Sequence, residues 1–112
     1  MRVRLPDRRF AETVMVEHDS ARFMVTIGFY PDGRPGEVFT HGARSGSNID
    51  ALLADACVLV SCLIQHGAEP SELAGSMGRL GNASPASIIG AIVDLVAAAG
   101  IPQQKSAAEV GT

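Results

Sequence analysis

The sequence predicts an α+β domain in which a three-stranded antiparallel meander is followed by three helices packed on one face of the sheet. The first 41 residues hold three short segments rich in β-branched and aromatic residues, separated by turn signals. From residue 48 onward, apolar residues recur at spacings of three and four, the period of a helix. The length of 112 residues fits one domain.

The predicted strands are residues 12–18, 22–30 and 36–41. In the first strand the side chains alternate between two faces, and the second is the richest in β-branched and aromatic residues. A turn at 18–21 and the sequence Pro31-Asp32-Gly33 connect them, since proline presets φ and glycine accepts positive φ. Connections this short favour antiparallel pairing.

The first predicted helix runs from about Asn48 to His66, with Ser47 as its N-cap and Gly67 just after its end. Its apolar stripe is unusually wide, so we expect the helix to be covered by the sheet and by something else. The stripe comprises Ile49, Leu52, Leu53, Ala56, Leu59, Val60, Leu63 and Ile64, widened by Val58 and Cys62.

Two shorter helices are predicted after it. The second covers roughly 71–77, with Pro70 in its first turn. The third begins at Ser84 and Pro85, a hydroxyl cap followed by proline, and ends near Ala99.

The expected organisation is a basic arm over residues 1–10, a single α+β domain over 11–101 and a flexible tail over 102–112. Nine basic and twelve acidic residues give a net charge of −3, which excludes a domain-wide basic field for nucleic acid. Eight of the nine basic residues are arginine, a usage typical of GC-rich bacterial or phage genomes.

We expect a cytoplasmic protein with reduced thiols. No apolar segment follows the first basic residues as in a signal peptide, and the apolar stretches are too short to span a bilayer. The two cysteines, Cys57 and Cys62, point about 140° apart on a helix and are interpreted as buried small residues. His18, His41 and His66 show no metal-site spacing.

Three groups of residues together resemble the TSCPD domain family. The first is Arg4–Arg9, before the first strand. The second is Asp32–Phe39, followed by Gly46-Ser47 at the start of an alanine-containing helix. The third is Gln65–Ala68, followed by Asn82–Pro85 at the start of the last helix. The order and spacing of the groups carry the resemblance, which covers about residues 4–99.

The resemblance implies the fold above and an association with ribonucleotide reductases. Such domains occur as small stand-alone bacterial and phage proteins and at the C-terminus of cobalamin-dependent reductases. The segment Asn82–Ala86 stands where the family has Thr-Ser-Cys-Pro-Asp, so Ser84 replaces the motif cysteine while Pro85 is kept. In family members with four cysteines, these cysteines resemble the ligands of a metal site, and one of them lies in the loop before the long helix. That loop holds Arg44 and Ser45 here and no cysteine. We therefore expect no metal and no cofactor.

Two candidate binding sites remain. The loop from Gly42 to Asn48 leads into a helix N-terminus and could hold a small anion. Its candidate residues are Arg44, Ser45, Gly46 and Ser47. The arginines of the arm could contact a protein partner, with Arg4, Arg8 and Arg9 as the candidates.

We expect a non-catalytic interaction or regulatory domain with no catalytic residues, and the resemblance implies a setting in deoxyribonucleotide or phage DNA metabolism. Its wide apolar helix predicts a homo-oligomer, most simply a dimer, and a ribonucleotide reductase or replication protein is a possible partner. The alternatives are an anion- or nucleotide-binding protein using the Gly42–Asn48 loop and a nucleic-acid accessory factor using the arm. If the chain were an enzyme, the resemblance would make it ribonucleoside-diphosphate reductase-like.

Overall fold

The computed structural model describes residues 1–41 and 48–100. Within these residues, three strands and three helices follow one another. The strands are β1 (Ala11–His18), β2 (Ala21–Phe29) and β3 (Pro35–His41), and the helices are α1 (Asn48–Gln65), α2 (Pro70–Ser76) and α3 (Ile88–Ala98). The strands form one antiparallel sheet in the order β1-β2-β3. The predicted α+β fold is therefore confirmed.

The two sheet connections have distinct backbone conformations. Asp19 and Ser20, between β1 and β2, both have positive φ, at 52° and 66°, as tight hairpin turns require. Between β2 and β3, Gly33 has a φ of 92°, and its N–H donates to the Tyr30 carbonyl at 2.9 Å. Glycine suits this position because it carries no Cβ to resist positive φ.

The core lies between one face of the sheet and the helices. β2 supplies Val25, Ile27 and Phe29, each at most 1% exposed, and β3 supplies Val38. The helices add residues at helical spacing. These are Leu53, Cys57, Val60 and Ile64 from α1, Ala74 from α2, and Ile92, Val93 and Val96 from α3.

Helix α1 covers the outer edge of β3 through two polar side chains one turn apart. Ser61 Oγ accepts the N–H of Val38 at 2.9 Å and donates to the Cys57 carbonyl at 2.8 Å. The Gln65 amide donates to the Gly36 carbonyl at 2.9 Å, and Gln65 is only 5% exposed. These bonds satisfy backbone groups that an edge strand would otherwise leave unpaired.

The start of α3 differs from the predicted start. Its N-cap is Ser87, whose hydroxyl accepts the Gly90 N–H at 3.0 Å. The predicted cap, Ser84, instead donates its hydroxyl to the Asn82 side chain, and Pro85 pairs with Arg79 in a short bridge. The serine-proline signal thus belongs to the loop before the helix.

Within residues 1–41 and 48–100, none of the helices combines the length and apolar character that crossing a membrane requires.

We predict that Ser61→Ala destabilises the fold by about 1–3 kcal/mol, because the Val38 N–H then lies without a partner under α1. Urea unfolding followed by circular dichroism measures the change. Ser76→Ala is the matched control, since Ser76 is exposed and its hydroxyl bonds only a carbonyl of its own helix. Equal stabilities for the two variants would contradict the role assigned to Ser61.

Candidate functional site

The predicted anion-binding loop lies outside the residues that the structure describes. Its candidate residues, Arg44, Ser45, Gly46 and Ser47, precede α1, which begins at Asn48 as expected. The loop therefore stays a prediction.

The first ten residues contact the end of α1 and the β2–β3 connection. The backbone N–H of Val3 donates to the Gln65 carbonyl at 2.7 Å, and the Tyr30 hydroxyl donates to the Val3 carbonyl. Arg2 Nε donates to Gln65 Oε1 at 2.7 Å. Gln65 therefore joins three parts of the chain, namely α1, β3 and the N-terminal segment.

The three arginines predicted to bind a partner have different surroundings. Arg9 Nε pairs with Glu37 Oε2 at 2.6 Å, and another Arg9 nitrogen donates to the Pro6 carbonyl at 2.6 Å. Arg4 and Arg8 are exposed and form no hydrogen bond or ion pair with the described residues. Arg9 therefore helps to hold the segment, while Arg4 and Arg8 have free donors.

Glycine makes room for the Arg9–Glu37 pair. A Cβ at Gly28, opposite Glu37 in the β2–β3 register, would overlap the Glu37 carboxylate. The absence of a side chain at Gly28 lets that carboxylate lie flat across the sheet and reach Arg9. A hollow of about 220 Å³ lies beside this pair, lined by Arg2, Arg4, Leu5, Asp7, Arg9, Glu37 and Gln65.

The loop between α2 and α3 carries the segment Asn82–Ala86. The Asn82 side-chain oxygen accepts the Ser84 N–H at 3.1 Å and the Ser84 hydroxyl at 2.5 Å, an arrangement typical of Asx turns. Ala83, between them, has a φ of 72°. Ser84 thus acts here as a turn residue.

An arginine clamp holds the same loop against α3. The two terminal nitrogens of Arg79 bond the two carboxylate oxygens of Asp94 at 2.6 and 2.7 Å, and one of them also donates to the Ala74 carbonyl at 2.9 Å. The Arg79 guanidinium holds the pKa of the Asp94 carboxyl below its ordinary value. Sequence reasoning missed this pair, because no local pattern connects residues 15 positions apart.

The cysteines and histidines pack against or bond residues of the fold itself. Cys57 is fully buried, and burial raises the pKa of its thiol to about 11, so the thiol is protonated at neutral pH. Cys62 is half-buried, and both are free thiols. His41 bonds the Thr26 hydroxyl at 2.7 Å, and His66 lies 2.8 Å from the Cys62 carbonyl. Among the described residues, no three His, Cys, Asp or Glu side chains lie together as a metal site requires.

The solvent-facing side of α1 is apolar. Ile49, Leu52, Leu59 and Leu63 are 49–65% exposed, although the helix already buries another set of apolar residues. The wide stripe seen in the sequence therefore divides into a buried face and an exposed face, and the structure shows no partner for the second face within the described residues.

Comparison with known proteins places these features in a family. The family model of the TSCPD domain matches residues 1–102. A vitamin B12-dependent ribonucleotide reductase from Rhodopirellula baltica is 36% identical over 66 residues, which are 59% of this chain and 6% of the reductase. The match thus covers a small part of that enzyme's length. No solved structure matches the chain.

We predict that Asp94→Asn lowers the melting temperature at neutral pH. The pKa of Asp94 is lower in the folded chain than its ordinary value of 3.8, so its contribution to stability is present above that pH and is lost as the pH falls through the folded pKa. Thermal unfolding between pH 7 and pH 2 measures the difference between the variant and the wild-type chain. A difference that does not shrink on acidification would contradict the assignment.

Proposed function

The chain belongs to the TSCPD domain family, and from that membership we propose that it is a non-catalytic interaction and regulatory domain. Its setting, in this proposal, is deoxyribonucleotide or phage DNA metabolism, because part of a vitamin B12-dependent ribonucleotide reductase is similar to it. The proposed partner is a ribonucleotide reductase or a replication protein of the same host.

The observation that carries the proposal is a pair of arginines without a partner among the described residues, on a segment that is itself held in place. Arg4 and Arg8 are exposed, whereas Arg2 and Arg9 bond Gln65 and Glu37. A segment already fixed by such bonds loses less conformational entropy on binding than a free arm does. The two free guanidinium groups are therefore available to a partner at low cost.

The chemistry of these arginines favours a partner with surface carboxylates. The planar fork of a guanidinium matches a carboxylate with two parallel hydrogen bonds. Asp7 and Glu37 line the same hollow as Arg2, Arg4 and Arg9, and the whole chain carries a charge of −3. Such a mixture of signs suits a discrete set of acidic side chains better than the continuous negative charge of a nucleic acid.

The absence of catalysis is part of the proposal. Reductive thiol chemistry needs a reactive thiolate, which is formed where a cysteine is exposed or its pKa is lowered. The pKa of Cys57 is raised instead, and the residue is enclosed by the core. This supports a structural role for Cys57, and the proposal assigns thiol chemistry to the partner.

We predict that Arg4→Ala/Arg8→Ala weakens binding to the host ribonucleotide reductase at least about tenfold, since two charge-assisted contacts are lost. Biolayer interferometry with the full chain immobilised measures the dissociation constant. Binding should also weaken as salt is raised, because exposed charges are screened. Arg22→Ala is the control, since Arg22 is exposed on β2, away from the N-terminal segment.

Equal affinities for the wild-type chain and the double variant would contradict the assigned surface. Absence of any binding between the wild-type chain and the reductase would contradict the proposed partner. Salt-dependent binding to single- or double-stranded DNA that the same double variant abolishes would instead support the nucleic-acid alternative.

A further inference from the structure

Helix α1 has a second apolar row that the described residues, 1–41 and 48–100, leave exposed. Its large members are Ile49, Leu52, Leu59 and Leu63, at 62%, 61%, 65% and 49% exposure, and the half-buried Ala56 lies between Leu52 and Leu59. These five residues, termed the α1 row below, are separated by three, four, three and four positions. That alternation is the spacing of the a and d positions of a coiled coil.

The row is distinct from the face of α1 that packs in the core. With 100° per residue, it lies about 90° around the helix from the buried stripe that contains Leu53 and Ile64. It also lies on the opposite side from Ser61, which is bonded to β3. A surface helix with one buried stripe usually carries polar residues elsewhere, so a second continuous apolar row indicates a second packing surface.

We propose that the α1 row binds the same row of a second copy of this chain, so that two α1 helices pack antiparallel across a two-fold axis. The a/d spacing fits another helix of matching spacing, and a second copy supplies one without any further partner. A two-fold axis makes the contact self-complementary and closed, as in most homodimers.

The antiparallel orientation follows from the sizes of the side chains in the row and from the positions of the charged residues of α1. In the register that places Leu52 against the partner's Leu63, the small Ala56 lies opposite the partner's Leu59, which allows the two backbones to approach closely. The charged side chains of α1, Asp50 and Asp55, are both acidic and lie in its first half. Antiparallel packing places these halves at opposite ends and aligns the two helix dipoles favourably.

The row supplies about two thirds of the area at which stable dimer interfaces begin. Its four large side chains present on the order of 400 Å² per chain, or 800 Å² per dimer, where stable interfaces begin at about 1,200 Å². The proposed dimer therefore also needs contact from exposed side chains beside the row, such as Asp55 and His66. Ser61 and Gln65 already bond the outer edge of β3, so that edge is not open to a second copy. Among the described residues, α1 is the surface presented on that side of the sheet.

Neighbouring residues on α1 provide a matched test. Leu59 and Val58 are 65% and 58% exposed, but they lie 100° apart on the helix, and Val58 is outside the row. Analytical ultracentrifugation of the full chain at 1–100 μM is expected to give a dimer of twice 11.6 kDa for the wild-type chain. We expect Leu59→Glu to weaken dimerisation at least about a hundredfold and Val58→Glu to change it less than about threefold.

Both variants are checked for folding by circular dichroism, and because each residue is exposed, a glutamate is compatible with the monomer. A wild-type chain that is monomeric throughout this range would overturn the proposal. Equal effects of the two substitutions would also overturn it. These outcomes are independent of the reductase-binding test, which uses the N-terminal arginines.

Cross-linking tests the orientation in a Cys62→Ser background. With oxidant, the double variant Ala56→Cys/Leu59→Cys is expected to form covalent dimers, because residues 56 and 59 of opposite chains face each other in the antiparallel register. Ala56→Cys alone is expected not to cross-link. Efficient cross-linking of that single variant would show a parallel pair and overturn the proposed orientation.

Discussion

The structure depends on the hydrogen bonds that attach α1 to the edge of β3. Ser61 and Gln65, one helical turn apart, bond the outward backbone groups of Val38 and Gly36. Together with the burial of Leu53, Val60 and Ile64, these bonds fix the position and rotation of α1, and hence which of its other apolar residues face solvent. The same bonds close the β3 edge, where unpaired backbone groups would otherwise attract another strand.

Gln65 also fixes the position of the N-terminal segment, residues 1–10, relative to α1. Its backbone carbonyl and side-chain oxygen hold Val3 and Arg2, so the N-terminal segment follows the end of α1. Arg4 and Arg8 then project from a fixed base. The two surfaces proposed for binding, the N-terminal arginines and the α1 row, are thus positioned by one helix and differ in chemistry, since one is cationic and the other apolar.

The fold was predictable because its signals are local. Strand alternation, turn residues and helical spacing are each readable within a few positions, and they place every strand and helix to within a few residues. The start of α3 shows the limit, because Pro85 pairs with Arg79 in a bridge before the helix, and the cap is Ser87 and not Ser84. A local pattern cannot show which of the two serines caps the helix.

The site was less predictable because its contacts join distant residues. Arg9 was expected to be available to a partner, but it pairs with Glu37, 28 positions away. The bond between Ser61 and Val38 spans 23 positions, and neither sequence segment signals it. The excess apolar surface of α1 was visible in the sequence, yet its division into a buried and an exposed face required the position of the sheet.

The central claim is that α1 uses both faces, one for its own core and one for a second copy. An isotope-filtered NOE experiment on a mixture of ¹³C-labelled and unlabelled chains tests it most directly, because only contacts between chains are recorded. The account predicts methyl contacts between Leu52 of one chain and Leu63 of the other. A spectrum whose contacts between chains all arise from the strands, or one without such contacts at concentrations up to 1 mM, would contradict it.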